Sequence, residues 1–513
     1  MNRHTAVSSF LSDFLGVGTA RVLATLCGLA TSFVLTYCLG ATDAERTANY
    51  GVYQLFFRTV GLIGVLGRSG WLAAGVLRYG ADEYVQSGSL RKTFTFIAPF
   101  FLLANLVLVL CVVLFWDDIR AYFKLTESLS GTRALHLTWA YVIVFNLILI
   151  LPPFFQASRR MLWYAFLPVA PMLLFLFVLG VYAFAGLRLE PLPAVAWLFT
   201  LNVVVMLVGV LRLLPSSLPP QWDRRHAGRI LHYSYPILFS GIASQVILSI
   251  DQLALNKATN DQSLVGIYAI AQLIYTNVGQ LATVLVSLMA PLVVTMLVKG
   301  QEGEIDRFVH RIGPQIGWAW AALCGVLMLL SREIIALYPG GFAAGGPILI
   351  VLLLALAFRV TTMVDSAVFG AYGLIPSMSF FAVLMAAAQV LSLSWLVPRY
   401  GMYGAAWTNC ITAVLGTGLR MGWLYYRKGY NTAPSLAPLW PLIVVWPIAF
   451  YAESWLVRTL VLPLFLTVHV VYGRTARLFT PDSLEIVDRI RMPERWRRAV
   501  HCFYTRMNPT FPP

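Results

Sequence analysis

Residues 50–80 read YGVYQLFFRTVGLIGVLGRSGWLAAGVLRYG. The stretch is apolar and exceeds the ~20 residues that a helix needs to cross a bilayer, yet it carries Arg58 and Arg68. A guanidinium among acyl chains is costly, so both charges are expected to face a bundle interior or a wet cavity. Gly61, Gly64, Arg68, Trp71 and Gly75 recur at spacings of three and four, which puts them on one helical face. Glycines on such a face let a neighbouring helix come close. The stretch therefore reads as a membrane helix packed through small residues, with its charges turned inward.

The rest of the chain fits that reading. Of 513 residues, 59% are hydrophobic and 12% charged, about half the charged share of a soluble domain. Apolar runs of ~20 residues recur along the chain, which is a helical pattern and not the alternation of a β-barrel. The predicted fold is all-α and polytopic, with about 14 transmembrane helices: two six-helix lobes related by a pseudo-two-fold, plus two C-terminal helices. The first lobe is expected over residues 1–214 and a polar connector with Arg224, Arg225 and Arg229 over 215–234. The second lobe is expected over 235–430, two further spans over 431–473, and a basic tail over 474–513. The first apolar run lacks a small-residue cleavage site and reads as a full span, so no cleavable signal peptide is expected.

The formal charge is +15. Most Lys and Arg fall in alternate loops and in the tail, which is topogenic patterning and argues against a nucleic-acid partner. That bias puts both termini in the cytoplasm, with the tail resting on anionic headgroups. The cysteines, Cys27, Cys38, Cys111, Cys324, Cys410 and Cys502, are scattered and show neither metal spacing nor a disulfide framework.

A short repeat supports the doubled architecture. Ala41-Thr42-Asp43 leads to Gly51-Val52-Tyr53 at the start of the second span, and Ala258-Thr259-Asn260-Asp261 leads to Gly266-Ile267-Tyr268 at the start of the eighth. Parallel repeats of this kind place a substrate site near the bilayer midplane.

The polar residues within the spans are the functional candidates. The eighth span carries Tyr268, Gln272, Tyr275, Thr276, Gly279, Thr283 and Ser287, an arc of roughly 140° at ~100° per residue. The seventh offers Ser244, Gln245, Ser249, Asp251 and Gln252, and the tenth Arg359 and Asp365. Counted within spans, the arginines Arg21, Arg58, Arg68 and Arg359 outnumber the carboxylates Asp251 and Asp365. An interior with excess positive charge suits an anionic substrate, because guanidinium binds phosphate through paired hydrogen bonds. Arg21, Arg58, Arg68, Arg359, Gln272 and Tyr275 are the substrate-binding candidates; Asp251 and Asp365 are candidates for proton or sodium coupling, with no other cofactor. Arg58 and Arg68, ~15 Å apart along an axis that rises 1.5 Å per residue, would pass a phosphate along a path. The plainer roles are snorkelling for Arg21 and Arg58, local pairing for Asp251, and interhelical hydrogen bonding for the polar stripe. No Walker A, HExxH or GxSxG motif occurs, and the longest outside loop, about Trp116 to Arg133, is short for an active-site domain.

The runs NYGVYQLF, GRSGW, GVLRYGAD, SYPILFSGIASQVILSIDQLALN, VGIYAIAQ and RYGMYGAAWTNCIT resemble the polysaccharide and O-antigen flippases of the multidrug/oligosaccharidyl-lipid/polysaccharide exporter superfamily. The resemblance runs from about Ser12 to Tyr472 and rests on loose motifs rich in Gly and Tyr. It implies two six-helix lobes around a cationic cavity and translocation of an undecaprenyl-diphosphate-linked oligosaccharide across the bacterial inner membrane by alternating access. Gly51, Tyr53, Asp251 and Tyr268 match its pattern. The implied partners are a lipid-linked anionic saccharide, membrane lipid, and a polysaccharide polymerase or glycosyltransferase. A peptidoglycan-precursor flippase, a multidrug exporter and a membrane polymerase or ligase stay open as alternatives.

Overall fold

A computed structural model of the chain describes residues 3–64, 70–125, 129, 131–481, 483–484 and 494–508, and every regular element among them is helical. Ten helices are long and apolar enough to cross a membrane. One of these, Ile375–Lys428, is two helices that fold back at Gly401 (φ 55°, ψ −130°). A Cβ at Gly404 would lie 2.3 Å from the Leu396 carbonyl oxygen, so this reversal needs glycine at both positions. Two shorter apolar helices, Val22–Cys38 and Ala170–Phe184, accompany them; of the opening stretch, residues 65–69 lie outside the described residues. The chain is an all-α polytopic membrane protein.

In chain order the helices are α1 (Arg3–Cys38), α2 (Asp43–Gly64), α3 (Gly70–Gly75), α4 (Ala81–Ser87), α5 (Arg91–Phe123), α6 (Thr132–Ala157), α7 (Met161–Phe166), α8 (Ala170–Phe184) and α9 (Pro191–Ser217). Then come α10 (Arg224–Thr259), α11 (Gln262–Val298), α12 (Glu302–Leu329), α13 (Ser331–Ala336), α14 (Gly345–Thr361), α15 (Met363–Ala371), α16 (Ile375–Lys428), α17 (Trp440–Tyr451), α18 (Trp455–Thr475) and α19 (Glu494–Met507). A π-helical turn, Val76–Gly80, joins α3 to α4. Two predicted spans are broken. The fifth divides into α7 and α8 around Pro168 and Pro171, which cannot donate to the helical ladder, and the tenth divides at Thr362 (φ −87°, ψ 5°).

The described chain divides into two compact units. The first comprises residues 1–273, 338–343 and 376–405 and so takes in the 215–234 connector; the second holds the remainder. In the first unit α2 packs against α6, α9 and α10, α3 against α10 and α6, and α1 against α8. One side of α5 is turned outward through Leu102, Leu106, Leu110 and Leu114, while Asn105, Leu108, Val112 and Trp116 are buried on its other side. Apolar residues outside and amides inside is the arrangement that a lipid solvent imposes. The amides meet one another: Asn146 Nδ2 donates to Asn105 Oδ1 (2.8 Å), and Asn202 Nδ2 to the Tyr141 hydroxyl (3.3 Å).

Several polar caps fix the end of this unit near α10. Glu83 accepts from the backbone N–H groups of Lys92 (2.7 Å) and Thr93 (2.9 Å), supplying α5 with the cap that Leu90 lacks. Asp223 caps α10 and accepts from Lys92 Nζ at 3.0 Å. The His226 amide, and after it the Lys92 ammonium, hold the Asp223 carboxyl down to about 2.

In the second unit α12 packs against α14, α17, α18 and the 3₁₀ turn Ala433–Leu439. The helical part of the tail, α19, docks on this unit. Tyr504 and Met507 are buried with Phe479 beside Trp318, and the Tyr504 hydroxyl donates to Gln315 Oε1 (2.6 Å). The sequence suggested a tail resting on lipid; the structure seats its apolar side on protein, because Trp318 and Phe479 offer it a surface there.

The repeated glycines meet directly within the first unit. A Cβ at Gly51 would lie 1.9 Å from the Gln262 carbonyl oxygen and 3.1 Å from Gly266 N; one at Gly266 would lie 2.1 Å from the Thr47 oxygen and 3.1 Å from Gly51 N. The contact is reciprocal, so α2 and the start of α11 cross backbone to backbone. Gly51→Ala or Gly266→Ala is expected to force the helices apart and cost about 1–3 kcal/mol or more. The check is the thermal unfolding midpoint in detergent, against Gly228→Ala, whose Cβ meets nothing within 4 Å.

Candidate functional site

Within the first unit a polar network is assembled from α2, α10, α11 and the first half of α16. Its centre is Asp251, which is fully buried. Oδ2 accepts the Tyr268 hydroxyl (2.9 Å) and a longer bond from Gln272 Nε2 (3.5 Å); Oδ1 accepts Gln389 Nε2 at 2.5 Å. Gln272 Oε1 accepts from Gln252 Nε2 (2.7 Å) and from Arg58 Nη2 (3.3 Å). Gln272 thus bridges the carboxylate and the guanidinium. Arg58 is half-buried, and its Nε has no hydrogen-bond partner. A guanidinium held by one neutral amide keeps donor capacity for an anionic ligand.

Local sequence explains the placement. Asp251 and Gln252 lie one and two residues beyond Ile250 on α10, and Tyr268 and Gln272 are one turn apart on α11, so they share a face. Gly61, one turn beyond Arg58 on α2, lets α10 approach: a Cβ there would lie 2.4 Å from Gln245 Nε2. Nearby, the Tyr50 hydroxyl bonds Ser32 Oγ (3.1 Å) and accepts from Gln54 Nε2 (2.8 Å), which ties α1 to α2.

The second unit has its own charged residues. Arg359 Nη1 donates to the Tyr275 hydroxyl at 2.7 Å. Asp365 is fully buried, and Arg420 on α16 acts on it electrostatically.

The structure therefore joins Arg58, Gln272 and Asp251 in one network and pairs Arg359 with Tyr275. Arg68 lies outside the described residues, as do the side chains of Arg21, Thr283 and Ser287. Two participants escaped the sequence reading. Gln389 is a lone amide in the apolar run FFAVLMAAAQVL, and an intramembrane amide is itself the signal that it has a partner. Arg420 was not among the arginines counted within spans, yet it lies inside α16 and is half-buried.

The fold defines the class: a polytopic, all-helical membrane protein whose architecture is shared by solved transporter structures. Solved structures with this fold include the lipid II flippase MurJ in an inward closed conformation, at TM-score 0.66, 14% identity, and coverage of 89% of this chain and 98% of that one. A eukaryotic MATE transporter matches at TM-score 0.56 and 14% identity, over 84% of this chain and 98% of its own. The Vibrio cholerae MATE transporter VcmN matches at TM-score 0.53 and 13% identity, over 83% and 98%. No protein-family model and no curated protein matches the chain by sequence.

Removing the hub carboxylate takes an acceptor from each of its donors. Asp251→Ala withdraws it from Tyr268, Gln272 and Gln389, the last of which keeps the Ile247 carbonyl (3.1 Å), and is expected to cost about 1–3 kcal/mol. Asp251→Asn keeps one acceptor oxygen and is expected to lose less. Thermal midpoints of the two variants in detergent check the order.

Proposed function

We propose that this protein is a flippase that moves an undecaprenyl-diphosphate-linked oligosaccharide across the bacterial inner membrane by alternating access, for surface polysaccharide synthesis. The observation that carries the reading is Arg58, a guanidinium at membrane depth with spare donors, held by Gln272 beside the buried Asp251. A phosphate-bearing headgroup satisfies those donors, while the lipid tail stays in the bilayer. The protein acts as a transporter and not an enzyme; likeness to MurJ and to MATE transporters supports that reading.

The basic loops support a topology with both termini in the cytoplasm. On that topology the Gly51–Gly266 crossing lies at the outer ends of α2 and α11, seven residues from Arg58 in sequence, or about 10 Å along the helix axis. Alternating access would then require this crossing to part so that the headgroup can leave outward. Energy is drawn from a proton or sodium gradient acting on the buried carboxylates Asp251 and Asp365. A polymerase or glycosyltransferase would supply or consume the substrate.

A second reading has a specific observation in its favour. The lipid II flippase MurJ matches at TM-score 0.66, and a peptidoglycan precursor would present the same diphosphate to Arg58. The MATE likeness gives a multidrug reading less support, since a guanidinium repels cationic drugs.

Reconstituted vesicles test these readings. With fluorescent undecaprenyl-diphosphate oligosaccharide, wild-type protein is expected to expose label to an external quencher, and Arg58→Gln to slow this by about 10- to 100-fold, as the loss of a charge-assisted contact predicts. Arg58→Lys keeps the charge without the fork and falls between. Wild-type rates for Arg58→Gln would refute the role of Arg58, and transport of lipid II alone would select the second reading.

A further inference from the structure

The end of α10 opposite Asp251 carries a built cation–aromatic cluster that the network above does not use. The π-helical turn Val76–Gly80 presents Arg78 and Tyr79 together, and π-helical turns inside α-helices occur frequently at functional sites. Gly75, just before it, allows the close crossing: a Cβ there would lie 2.4 Å from Ser234 Oγ on α10. Arg78 Cζ then lies 4.8 Å from the Tyr233 ring centroid and 5.8 Å from that of Tyr79, and Arg229 Cζ lies 5.5 Å over Tyr79. The two tyrosines meet edge to face at 6.0 Å.

Both guanidiniums are exposed, and among the described residues neither has an ion pair or a side-chain hydrogen bond. Of the acids near the cluster, Glu83 is engaged by the start of α5 and Asp223 by Lys92 and the start of α10, while Asp82, one turn beyond Arg78, is exposed. A guanidinium held over an aromatic ring keeps its N–H donors, the groups that bind a phosphate through paired hydrogen bonds.

The position on α10 gives the cluster a direction. Arg229, Tyr233, Ser240, Ser244 and Asp251 fall within an arc of about 60° at ~100° per residue. From Arg229 to Asp251 is about 33 Å at 1.5 Å per residue, close to the ~30 Å of a hydrocarbon core. The cluster lies toward the start of α10 and Asp251 within its second half on one helix face, and that face carries two serines between them.

We propose that Arg78 and Arg229, stacked on Tyr79 and Tyr233, receive the diphosphate headgroup of a membrane lipid before it passes along this face of α10 toward Arg58. The proposal rests on the flippase reading. Its test is binding, made in the Arg58→Gln background so that the inner arginine contributes nothing. Purified protein in detergent is titrated with farnesyl diphosphate, a short lipid-borne diphosphate, and separately with inorganic pyrophosphate. Arg78→Gln with Arg229→Gln is expected to weaken farnesyl diphosphate binding by about tenfold or more, since two charge-assisted contacts are lost. The double lysine variant is expected to fall between. Arg225→Gln, which removes an exposed arginine on the same helix, is expected to change binding by less than about twofold, as exposed charges act weakly. Both arginines of the cluster are at the surface, so an unchanged thermal midpoint verifies the fold of each variant. Undiminished binding by the double glutamine variant, an equal loss with Arg225→Gln, or pyrophosphate binding as tightly as the prenyl compound would each overturn the proposal. Such a failure counts against the cluster alone; the role of Arg58 is decided by transport.

Discussion

A buried carboxylate needs partners, and the way Asp251 finds them organises the first unit. Its oxygens collect a hydroxyl from α11 and amides from α11 and α16, so three helices are pinned to one anion. Breaking such a set leaves several polar groups stranded in a medium that cannot hydrate them, which makes the arrangement cooperative. Gln272 bridges Arg58 to this anion. An intervening amide stabilises the guanidinium without cancelling its charge, and the charge stays available to a ligand.

Close backbone approach is the second constraint, and it serves the first. Gly51 against Gly266 and Gly61 against Gln245 bring α2 within reach of α10 and α11. Without those glycines the helices would separate by the width of a side chain, and the Arg58–Gln272 bond could not form. Apolar packing contributes little specificity in lipid, where the surroundings are as apolar as the core, so glycine contacts and polar bonds carry the helix pairing. Asn105 with Asn146, and Asn202 with Tyr141, repeat the same logic away from the site.

The second unit applies different means. Its α12 is enclosed by α14, α17, α18 and α19, and it contacts the tail through Trp318 and Gln315. Arg458 is buried near the other end of that assembly, where it pairs with Glu333 and donates to the carbonyls of Ala452 and Glu453. These arginines have different fates: structural staple for Arg458, surface group over aromatic rings for Arg78 and Arg229, and half-buried donor for Arg58. Neighbouring partners decide which, because the side chain is the same in each case.

Hydropathy and its period were enough to establish a many-helix membrane protein, since a lipid solvent demands long apolar runs with internally satisfied backbones. Arg58, Gln272 and Asp251 were legible as candidates for a related reason: a polar group at membrane depth is expensive and must have a use. The repeat of Gly-Val-Tyr and Gly-Ile-Tyr was visible as a pattern, but not that the two copies touch. The partner of each polar group lay beyond the sequence, because helical periodicity gives a residue's face and depth and not which helix lies opposite. Gln389 and Arg420 were overlooked for that reason, and the stacking of Arg78 and Arg229 arises only where a π-helical turn meets α10. Composition set the solvent and the element type; tertiary packing chose the pairs, since distances of a few ångströms between segments distant in sequence decide whether a charge is bridged, stacked or left open.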